Sequence, residues 1–440
     1  MNRLACMTLA LILLLVSLSS SVRSQTCDIT ISTGTPDAEF DGIFTQNGPG
    51  TGNEPSGTAG WTGGDSTYSI ELPNGDTAFF FSDSYIGEYP ALTGDGTVTS
   101  NANGLRTRQP NCNPPLCDPP TVLYRSHNSI VVRSVSTGQL RTLTGPRDAN
   151  GFSTSFFTPA LAAVTNHFYW MGDSVVVQVD SQGTKKLWAF VMEFDSSFTY
   201  YGSAIAQLSL PSLSLESVQP LLNVWPSTVA WGSALWLEGS YGSYTLYIYG
   251  IQNKQQLTGK VPYLARVNPG LGYSAIADTN NWTVWNGGAW ANGLTNAAQL
   301  IGASNDPNNA GDQISDEFSV KKIRTSKGSA YLLLGMDTTV AYGTWRDITL
   351  YSACAPQGPF SRKTVVYSTP ETGSFQVPGM TTSQSLAGTL LVYNPHLHPQ
   401  FKSSDRLLIS YDINASKSED LLYADAYRPR FIRVRVKGLR

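Results

Sequence analysis

The chain is short of charged side chains and has no basic stretch on the scale of a nucleic-acid-binding surface. Only 14% of its 440 residues are charged, and 29 Lys and Arg against 32 Asp and Glu leave a net charge of -3. Domains that bind nucleic acid usually concentrate Lys and Arg on one face. We therefore expect no nucleic-acid partner.

Long apolar runs are lacking after the N-terminus. A basic start is followed by an apolar run from Leu4 to Val16 and then by a Ser-rich stretch, the pattern of a secretory signal peptide. The run is too short to span a bilayer, and Val22 and Ser24 fit the small-residue cleavage rule. We expect residues 1–24 to be removed, leaving 25–440 as one secreted, extracellular domain without a membrane span.

Cysteine is scarce, and its distribution points to disulfides. Of the five cysteines, Cys6 lies in the expected signal peptide, which leaves an even set of four. An even count in an exported protein is typical of disulfide bonds rather than metal or redox sites. Cys112 and Cys117 flank a tight Asn-Pro-Pro-Leu loop and predict one pair. By elimination, Cys27 pairs with Cys354.

Motifs of several enzyme classes do not occur. The sequence contains no GxSxG elbow, no HExxH zinc motif and no phosphate-binding Gly-rich loop. His396 and His398 have an i, i+2 spacing that a metal could use, but no matching ligand set stands out elsewhere. We expect no metal and no cofactor. Asn281 and Asn414 lie in N-glycosylation sequons, which matter only in a eukaryotic host.

Helical periodicity is almost absent after the signal peptide. Short runs of β-branched and aromatic residues alternate with Gly, Pro, Asn, Asp and Ser, the pattern of strands and turns. These runs fall into five groups of roughly 40 to 60 residues, the spacing of propeller blades. The strands of a β-sandwich, the main alternative, would not regroup so regularly. The sequence predicts an all-β, five-bladed β-propeller with a long loop, 85–124, inserted in the first blade.

The stretch from Gly60 to Gly87 predicts a β-hairpin around the Pro-Asn-Gly-Asp turn. Its two far ends carry Asp65 and Asp83, and these ends meet at one edge of the hairpin, close to Trp61. Two carboxylates beside an indole are what a sugar-cleaving site uses. Taken alone, each aspartate is more typical of a turn that bonds local amides.

The meander rule extends this site to the other blades. In each blade the first strand starts on the face where the second ends and the third begins, so polar residues of all blades gather on one side. Convergence of several carboxylates favours a functional interpretation. The candidate acid–base residues are Asp65, Asp83 and Glu317. The candidate substrate contacts are Trp61, His127, Asn128, Trp170, Asp173, Trp231, Arg346, His396 and Arg430.

Several sequence blocks resemble a known group of proteins. The blocks GGDSTYSIELPNGDTAFFFSDSYIG, HNSIVV, FYWMGDS and YNPHLHP, spread between about Trp61 and Val434, resemble the exported propellers of the domain of unknown function 4185 group. The resemblance implies a five-bladed propeller related to arabinanase- and xylosidase-type glycoside hydrolases. It matches Asp65 to the catalytic aspartate at the start of the first inner strand. Asp83 stands in FSDSY, where the group usually has FGDTF.

Three functions follow as hypotheses, all for a chain that we expect to be monomeric. The leading one is a secreted glycoside hydrolase that acts on a polysaccharide, including polymers that contain arabinofuranose. Asp65 would be its base or nucleophile, and Glu317 or Asp83 its acid. The second is a non-catalytic lectin-like or surface-adhesion propeller, which needs no acid–base pair. The third is a polysaccharide lyase that would use His396, Tyr427 and Arg430.

Overall fold

The structure is a computed structural model that describes residues 27, 29–44, 60–87, 125–146, 148, 153–160, 166–224, 229–252, 260–301, 312–326, 328–372, 388–417 and 426–440. The expected signal peptide and the predicted Cys112–Cys117 bond lie outside these residues. So does most of the predicted 85–124 loop. Its first three residues belong instead to a strand, because they continue the Gly60–Gly87 hairpin.

Antiparallel strands make up most of the described chain. In chain order they are β1 (Thr35–Pro36), β2 (Gly60–Gly64), β3 (Tyr68–Glu71), β4 (Thr77–Phe81), β5 (Ser84–Gly87), β6 (Arg125–Ser126), β7 (Ser129–Arg133), β8 (Leu140–Leu143), β9 (Phe168–Gln178), β10 (Lys185–Phe194), β11 (Tyr200–Ser209), β12 (Leu215–Pro220), β13 (Val229–Glu238), β14 (Thr245–Gln252), β15 (Pro262–Val267), β16 (Thr283–Trp285), β17 (Trp290–Asn292), β18 (Ser319–Thr325), β19 (Gly328–Met336), β20 (Asp347–Ala353), β21 (Ser361–Ser368), β22 (Leu390–Ser403), β23 (Arg406–Ala415) and β24 (Tyr427–Arg435). The helices are short: α1 (Ala38–Ile43), α2 (Tyr273–Ala277) and the 3-10 turns Pro269–Leu271, Thr279–Asn281 and Leu294–Asn296. None of the described helices is long and apolar enough to cross a membrane.

The sheets are arranged as five blades. The blades have the strand orders β3-β4-β7-β8, β9-β10-β11-β12, β13-β14-β15-β16-β17, β18-β19-β20-β21 and β22-β23-β24-β1. Their innermost strands contact one another in a closed ring, β3 to β9, β13, β18, β22 and back to β3. A small extra sheet, β2-β5-β6, extends the first blade. The predicted five-bladed, all-β fold is therefore confirmed.

Packing between blades explains the apolar strand sequences. All five residues of β4, Thr77–Phe81, are buried, because a blade packs against a neighbour on each of its faces. Strands covered on both faces show continuous apolar runs rather than alternation. At one close approach of two inner strands only glycine fits: a Cβ on Gly172 of β9 would lie 2.5 Å from the carbonyl oxygen of Gly232 on β13.

The N-terminal segment closes the ring. Strand β1 pairs with β24 through Thr35 opposite Arg433 and Pro36 opposite Ile432, and so supplies the outermost strand of the last blade. Upstream of β1, the predicted disulfide joins Cys27 to Cys354, at the end of β20 in the fourth blade. A two-residue strand without an apolar run carries too weak a pattern to be predicted from sequence.

We predict that the disulfide stabilises this closure strongly. Its removal in Cys27→Ser frees a loop of 327 residues and should lower the free energy of unfolding by about 3–5 kcal/mol. Urea unfolding under non-reducing conditions measures the loss. Cys354→Ser and the double variant should show the same loss as Cys27→Ser, because each breaks the same bond. A double variant that loses about twice as much would contradict the pairing.

Candidate active site

The first-blade hairpin is interrupted where its two aspartates lie. Strands β2 and β5 pair down to Gly64 opposite Ser84, and β3 and β4 resume at Tyr68 opposite Phe80. Between these ladders the Asp65 amide donates to the Asp83 carbonyl at 3.3 Å. The aspartates are therefore cross-strand neighbours, as expected, but they lie at a break within a longer hairpin rather than at its ends.

A cavity of about 430 Å³ opens beside this break, and its lining comes from residues in or next to all five blades. Its acidic lining residues are Asp65, Asp83, Asp316 and Glu317, and its other polar residues are Ser66, Ser82, Lys260, Asn394 and Asn414. Its aromatic lining residues are Trp170, Phe194, Phe198, Tyr342, Trp345 and Tyr393. The cavity thus combines several carboxylates with one lysine and several ring faces.

Only one of the two carboxyl oxygens of Asp65 has a hydrogen-bond partner among the described residues. Its Oδ2 accepts a hydrogen bond from the Tyr393 hydroxyl at 2.8 Å, whereas its Oδ1 has no partner among the described residues. Burial, followed by the neighbouring carboxylates Asp83 and Glu317, raises the pKa of Asp65 to about 8. Burial and the Asp65 carboxyl also raise the pKa of Tyr393 well above its usual value, so this hydroxyl remains a donor.

Asp83 is held by two nitrogen donors. Its Oδ1 lies 2.9 Å from Nδ1 of His127 and accepts from Nε1 of Trp170 at 3.0 Å. Because a carboxylate only accepts, the His127 proton is on Nδ1 in this contact. The Tyr427 hydroxyl also donates to the Asp83 carbonyl at 3.2 Å. The contacts with His127 and Trp170 fix the Asp83 side chain beside Asp65.

Glu317 reaches the site from the segment before β18. Its Oε1 lies 2.9 Å from the Ser66 hydroxyl, which in turn lies 2.6 Å from the hydroxyl of Ser82. Its Oε2 lies 3.5 Å from Nε2 of His396. Burial lowers the pKa of His396 to about 3, so this imidazole is neutral over the usual range of pH.

A fourth carboxyl group, which sequence reasoning missed, supports the site from β23. Asp412 is fully buried; its Oδ2 accepts from the Ser66 amide at 2.7 Å and its Oδ1 from the Thr67 hydroxyl at 2.6 Å. Ser66 and Thr67 have positive φ values of 75° and 36°, which are strained for residues other than glycine. Burial and the charge of Asp65 raise the pKa of Asp412 well above its usual value.

Some predicted substrate contacts lie in the hydrophobic core. Trp61 and Trp231 are both 0% exposed, with Trp61 packed against Phe44 and Phe81 and Trp231 against Trp282. Neither indole has a face that a sugar could reach. Trp170, by contrast, is half-buried and lines the cavity.

The predicted polar contacts also separate into different surroundings. Asn128 is fully buried and bridges the first two blades through the carbonyls of Phe157 and Tyr169. Asp173 is buried, forms an ion pair with Lys321 at 2.8 Å and accepts the Leu235 amide at 2.8 Å. Both side chains are held by structural contacts, and neither lines the cavity.

The two predicted arginines do not reach the cavity lining. Arg346 is exposed, and its Nε lies 3.9 Å from Oδ1 of Asp347. Arg430 is buried, and its Nε lies 3.8 Å from Oε1 of Glu371. His396 and Tyr427, the other residues of the lyase hypothesis, are buried. Neither they nor Arg430 line the cavity.

The two sequons differ in their surroundings. Asn281 is exposed, although its Nδ2 donates to the Ala275 carbonyl at 2.9 Å. Asn414 lines the cavity and its Nδ2 donates to the Tyr393 hydroxyl at 3.0 Å, so a glycan there would occupy the site. Among the described residues, no group of three or more His, Cys, Asp or Glu side chains could hold a metal ion.

We predict that Asp65 makes stability depend on pH between about 4 and about 8. A carboxyl whose pKa is higher in the folded state binds its proton more tightly there, so its contribution to stability is present at low pH and is lost as pH rises. Relative to wild type, the free energy of unfolding of Asp65→Asn should therefore be higher at pH 8 than at pH 5, by about 3–4 kcal/mol in urea unfolding.

Asp180→Asn is the matched control, because Asp180 lies in an exposed turn where hydrogen bonds from Thr184 lower its pKa. The pH dependence due to Asp180 lies below the tested interval. An Asp65→Asn curve parallel to wild type would show that Asp65 is ionised throughout.

Comparisons with solved structures found the following similarities. A Bacteroides ovatus protein described as a "putative hydrolase" has 18% identity, with 91% of this chain and 89% of that chain covered at a TM-score of 0.61. A GH43_1 enzyme from Xanthomonas citri has 10% identity, coverage of 92% and 91%, and a TM-score of 0.43. An exo-β-1,3-galactanase from Phanerochaete chrysosporium has 10% identity, coverage of 92% and 64%, and a TM-score of 0.43.

The first of these likenesses shows a shared fold. No curated protein sequence matches the chain. The resemblance to the domain of unknown function 4185 group is not confirmed, because a different family model matches, over residues 56–436. The chain belongs to the family described as Domain of unknown function (DUF5005).

Proposed function

We propose that this protein is a glycoside hydrolase that cleaves a polysaccharide in the cavity between its blades. The observation that carries the proposal is that Asp65, Asp83 and Glu317 line one cavity together with aromatic side chains. Paired carboxyl groups beside ring faces are the arrangement that glycosidic bond hydrolysis uses. The fold unites these residues, because Glu317 is distant in sequence from the other two.

Asp65 is the proposed general acid. A carboxyl group with a pKa of about 8 is protonated at neutral pH and can donate to the oxygen of a leaving sugar. Asp65 lines the cavity, and its Oδ1 is a buried atom without a hydrogen-bond partner among the described residues. The assignment reverses the sequence-based one, in which Asp65 is base or nucleophile, because burial and then the adjacent carboxylates favour the protonated form.

Asp83 is the proposed base. Its Oδ1 is held by Nδ1 of His127 and Nε1 of Trp170, which fix the carboxyl group beside Asp65. Glu317 is the third charge, and it helps to keep the proton on Asp65. Two carboxyl groups with different environments can divide acid and base roles in this way.

The proposed substrate is a neutral polysaccharide. The cavity holds four acidic side chains and one lysine, Lys260, whose ammonium already pairs with Asp316. Acidic sugars would meet like charge there. Arabinofuranose-containing polymers are the first class to test, because the resemblance noted above points to arabinan-cleaving enzymes.

We also propose that the protein is exported after cleavage between Ser24 and Gln25. The Cys27–Cys354 disulfide supports this, because disulfides persist mainly in oxidising compartments. N-terminal sequencing of the protein recovered from culture medium tests the cleavage site.

A screen for reducing-sugar release on arabinan, arabinogalactan, xylan and cell-wall extracts tests the proposed activity. We expect release on at least one, and a loss of about 10²–10⁴ in kcat for Asp65→Asn and Asp83→Asn. Glu216→Gln is the control, since Glu216 pairs with Lys186 on the outer side of the second blade. Equal activity of all three variants would overturn the carboxylate assignment.

Aryl glycosides separate the two roles. An activated aryl leaving group needs no protonation, so Asp65→Asn should retain most of its activity on a dinitrophenyl glycoside, whereas Asp83→Asn should not. The wild-type rate should fall as pH rises through about 8, because protonated Asp65 is then lost. If the rate instead rises through that pH, Asp65 is the base.

A lectin-like propeller is the second candidate, favoured by the exposure of Phe198 and Tyr342, 51% and 48%, at the cavity. In that case the wild type and Asp65→Asn would bind glycans equally well, and neither would release sugar from any substrate in the screen.

A further inference from the structure

A second cavity adjoins the proposed active site. Its volume is about 350 Å³, and it is lined by His127, Asn166, His167, Phe168, Ser196 and Phe198. Phe198 also lines the first cavity, so the two cavities share a wall. His127 joins them chemically, since its Nδ1 lies 2.9 Å from Oδ1 of Asp83.

The two histidines of this cavity are oriented in the same way. Nδ1 of His127 faces Asp83, and Nδ1 of His167 lies 2.7 Å from Oε1 of Glu193. Each contact places a proton on Nδ1 and leaves Nε2 as a hydrogen-bond acceptor in the neutral ring. Neither Nε2 has a hydrogen-bond partner among the residues that the structure describes, and each ring lines the cavity. Two fixed acceptors in one small cavity suit the hydroxyl groups of a sugar.

Phe198 provides a ring face between the cavities. It stacks on Trp170 with ring centroids 5.6 Å apart and an interplanar angle of 22°, and it is 51% exposed. Trp170 in turn donates to Asp83. About half of the Phe198 ring is left exposed at the cavity, where a sugar could stack on it.

The backbone at Phe198 is strained, yet it is held firmly. Its φ of 61° is in the left-handed region that a bulky residue rarely adopts. The turn is closed by Asp195, whose Oδ1 accepts the amides of Ser197 at 2.8 Å and Thr199 at 2.9 Å. Glycine would fit this conformation without strain. The presence of phenylalanine therefore points to a use for its ring.

We propose that the second cavity binds the sugar next to the cleaved bond, with Phe198 as the stacking surface that separates the two sugars. This inference rests on the proposed function, and it extends it to the substrate class: an oligosaccharide or polysaccharide that fills both cavities, rather than a glycoside of a single sugar. His127 and His167 would accept hydrogen bonds from hydroxyl groups of the neighbouring sugar.

Binding is measured apart from catalysis by using the full mature chain with Asp65→Asn throughout. The probes are arabino-, xylo- and galacto-oligosaccharides, from monosaccharide to hexasaccharide, on an array and then by calorimetry. Adding Phe198→Gly should weaken binding of disaccharides and longer probes about tenfold or more, and should affect monosaccharide binding far less. Phe198→Tyr, which keeps a ring, should bind within about threefold of the parent.

Two controls keep the result interpretable. Tyr241→Ala removes another exposed aromatic side chain, on the β13–β14 turn outside both cavities, and should change nothing. The melting temperature of Phe198→Gly should be equal to or above that of its parent, because glycine relieves the strained φ. Weaker glycan binding in a protein that is no less stable would exclude misfolding as the cause.

The proposal is overturned if Phe198→Gly and Tyr241→Ala bind every probe alike, or if the parent binds no probe longer than a monosaccharide. It is also overturned if the loss is the same for monosaccharides and longer chains. Phe198-dependent binding without sugar release by the wild type would uphold the second cavity as a sugar site and reject the hydrolase.

Discussion

The carboxyl group of Asp412 ties the last blade to the first, and most of the site depends on that link. It accepts hydrogen bonds from the Ser66 amide and the Thr67 hydroxyl and thereby holds two residues in a conformation that they would not adopt alone. The strained turn directs Asp65 toward the cavity and brings the Ser66 hydroxyl to Glu317. The same contact that joins the ends of the ring therefore also assembles carboxyl groups from different blades.

This arrangement opposes stability in two ways, and the ring geometry offsets both. Carboxyl groups are buried and crowded together, so burial and then the neighbouring charges raise the pKa of Asp65 to about 8. Strained backbone at Ser66, Thr67 and Asn394 adds to this cost. The inner strands, packed against a neighbour on each side, leave the turn little room to relax. Stored strain and crowded charge are typical of sites that carry function.

The sequence predicted the blades because their central strands are apolar and separated by turn residues. It missed the outermost strands β1 and β12, which are short or polar and so carry no such pattern. Topology decides where strand ends meet, and the folded chain brings Asp65, Asp83, Glu317 and Trp170 to the lining of one cavity. The sequence could not show that Asp83 lines the cavity whereas Asp173 does not, because each aspartate follows an aromatic run. Only the folded chain brings Lys321 into contact with Asp173. Nor could it show that Trp61 and Trp231 point into the core, because aromatic content does not reveal which face of a strand is covered.

The two cavities are linked through one side chain, and this has a consequence for how binding and chemistry would be connected. Nδ1 of His127 contacts Asp83 in the first cavity, while the ring lines the second and stacks on Phe168 with centroids 3.8 Å apart. A sugar hydroxyl that donates to Nε2 would polarise the ring and make Nδ1–H a stronger donor, so Asp83 would be held more firmly beside Asp65. Occupation of the second cavity would in this way help to position the proposed base in the first. A polymer that fills both cavities would then react faster than a short substrate even when both are bound to saturation, because binding energy from the remote sugar is expressed at the reacting centre.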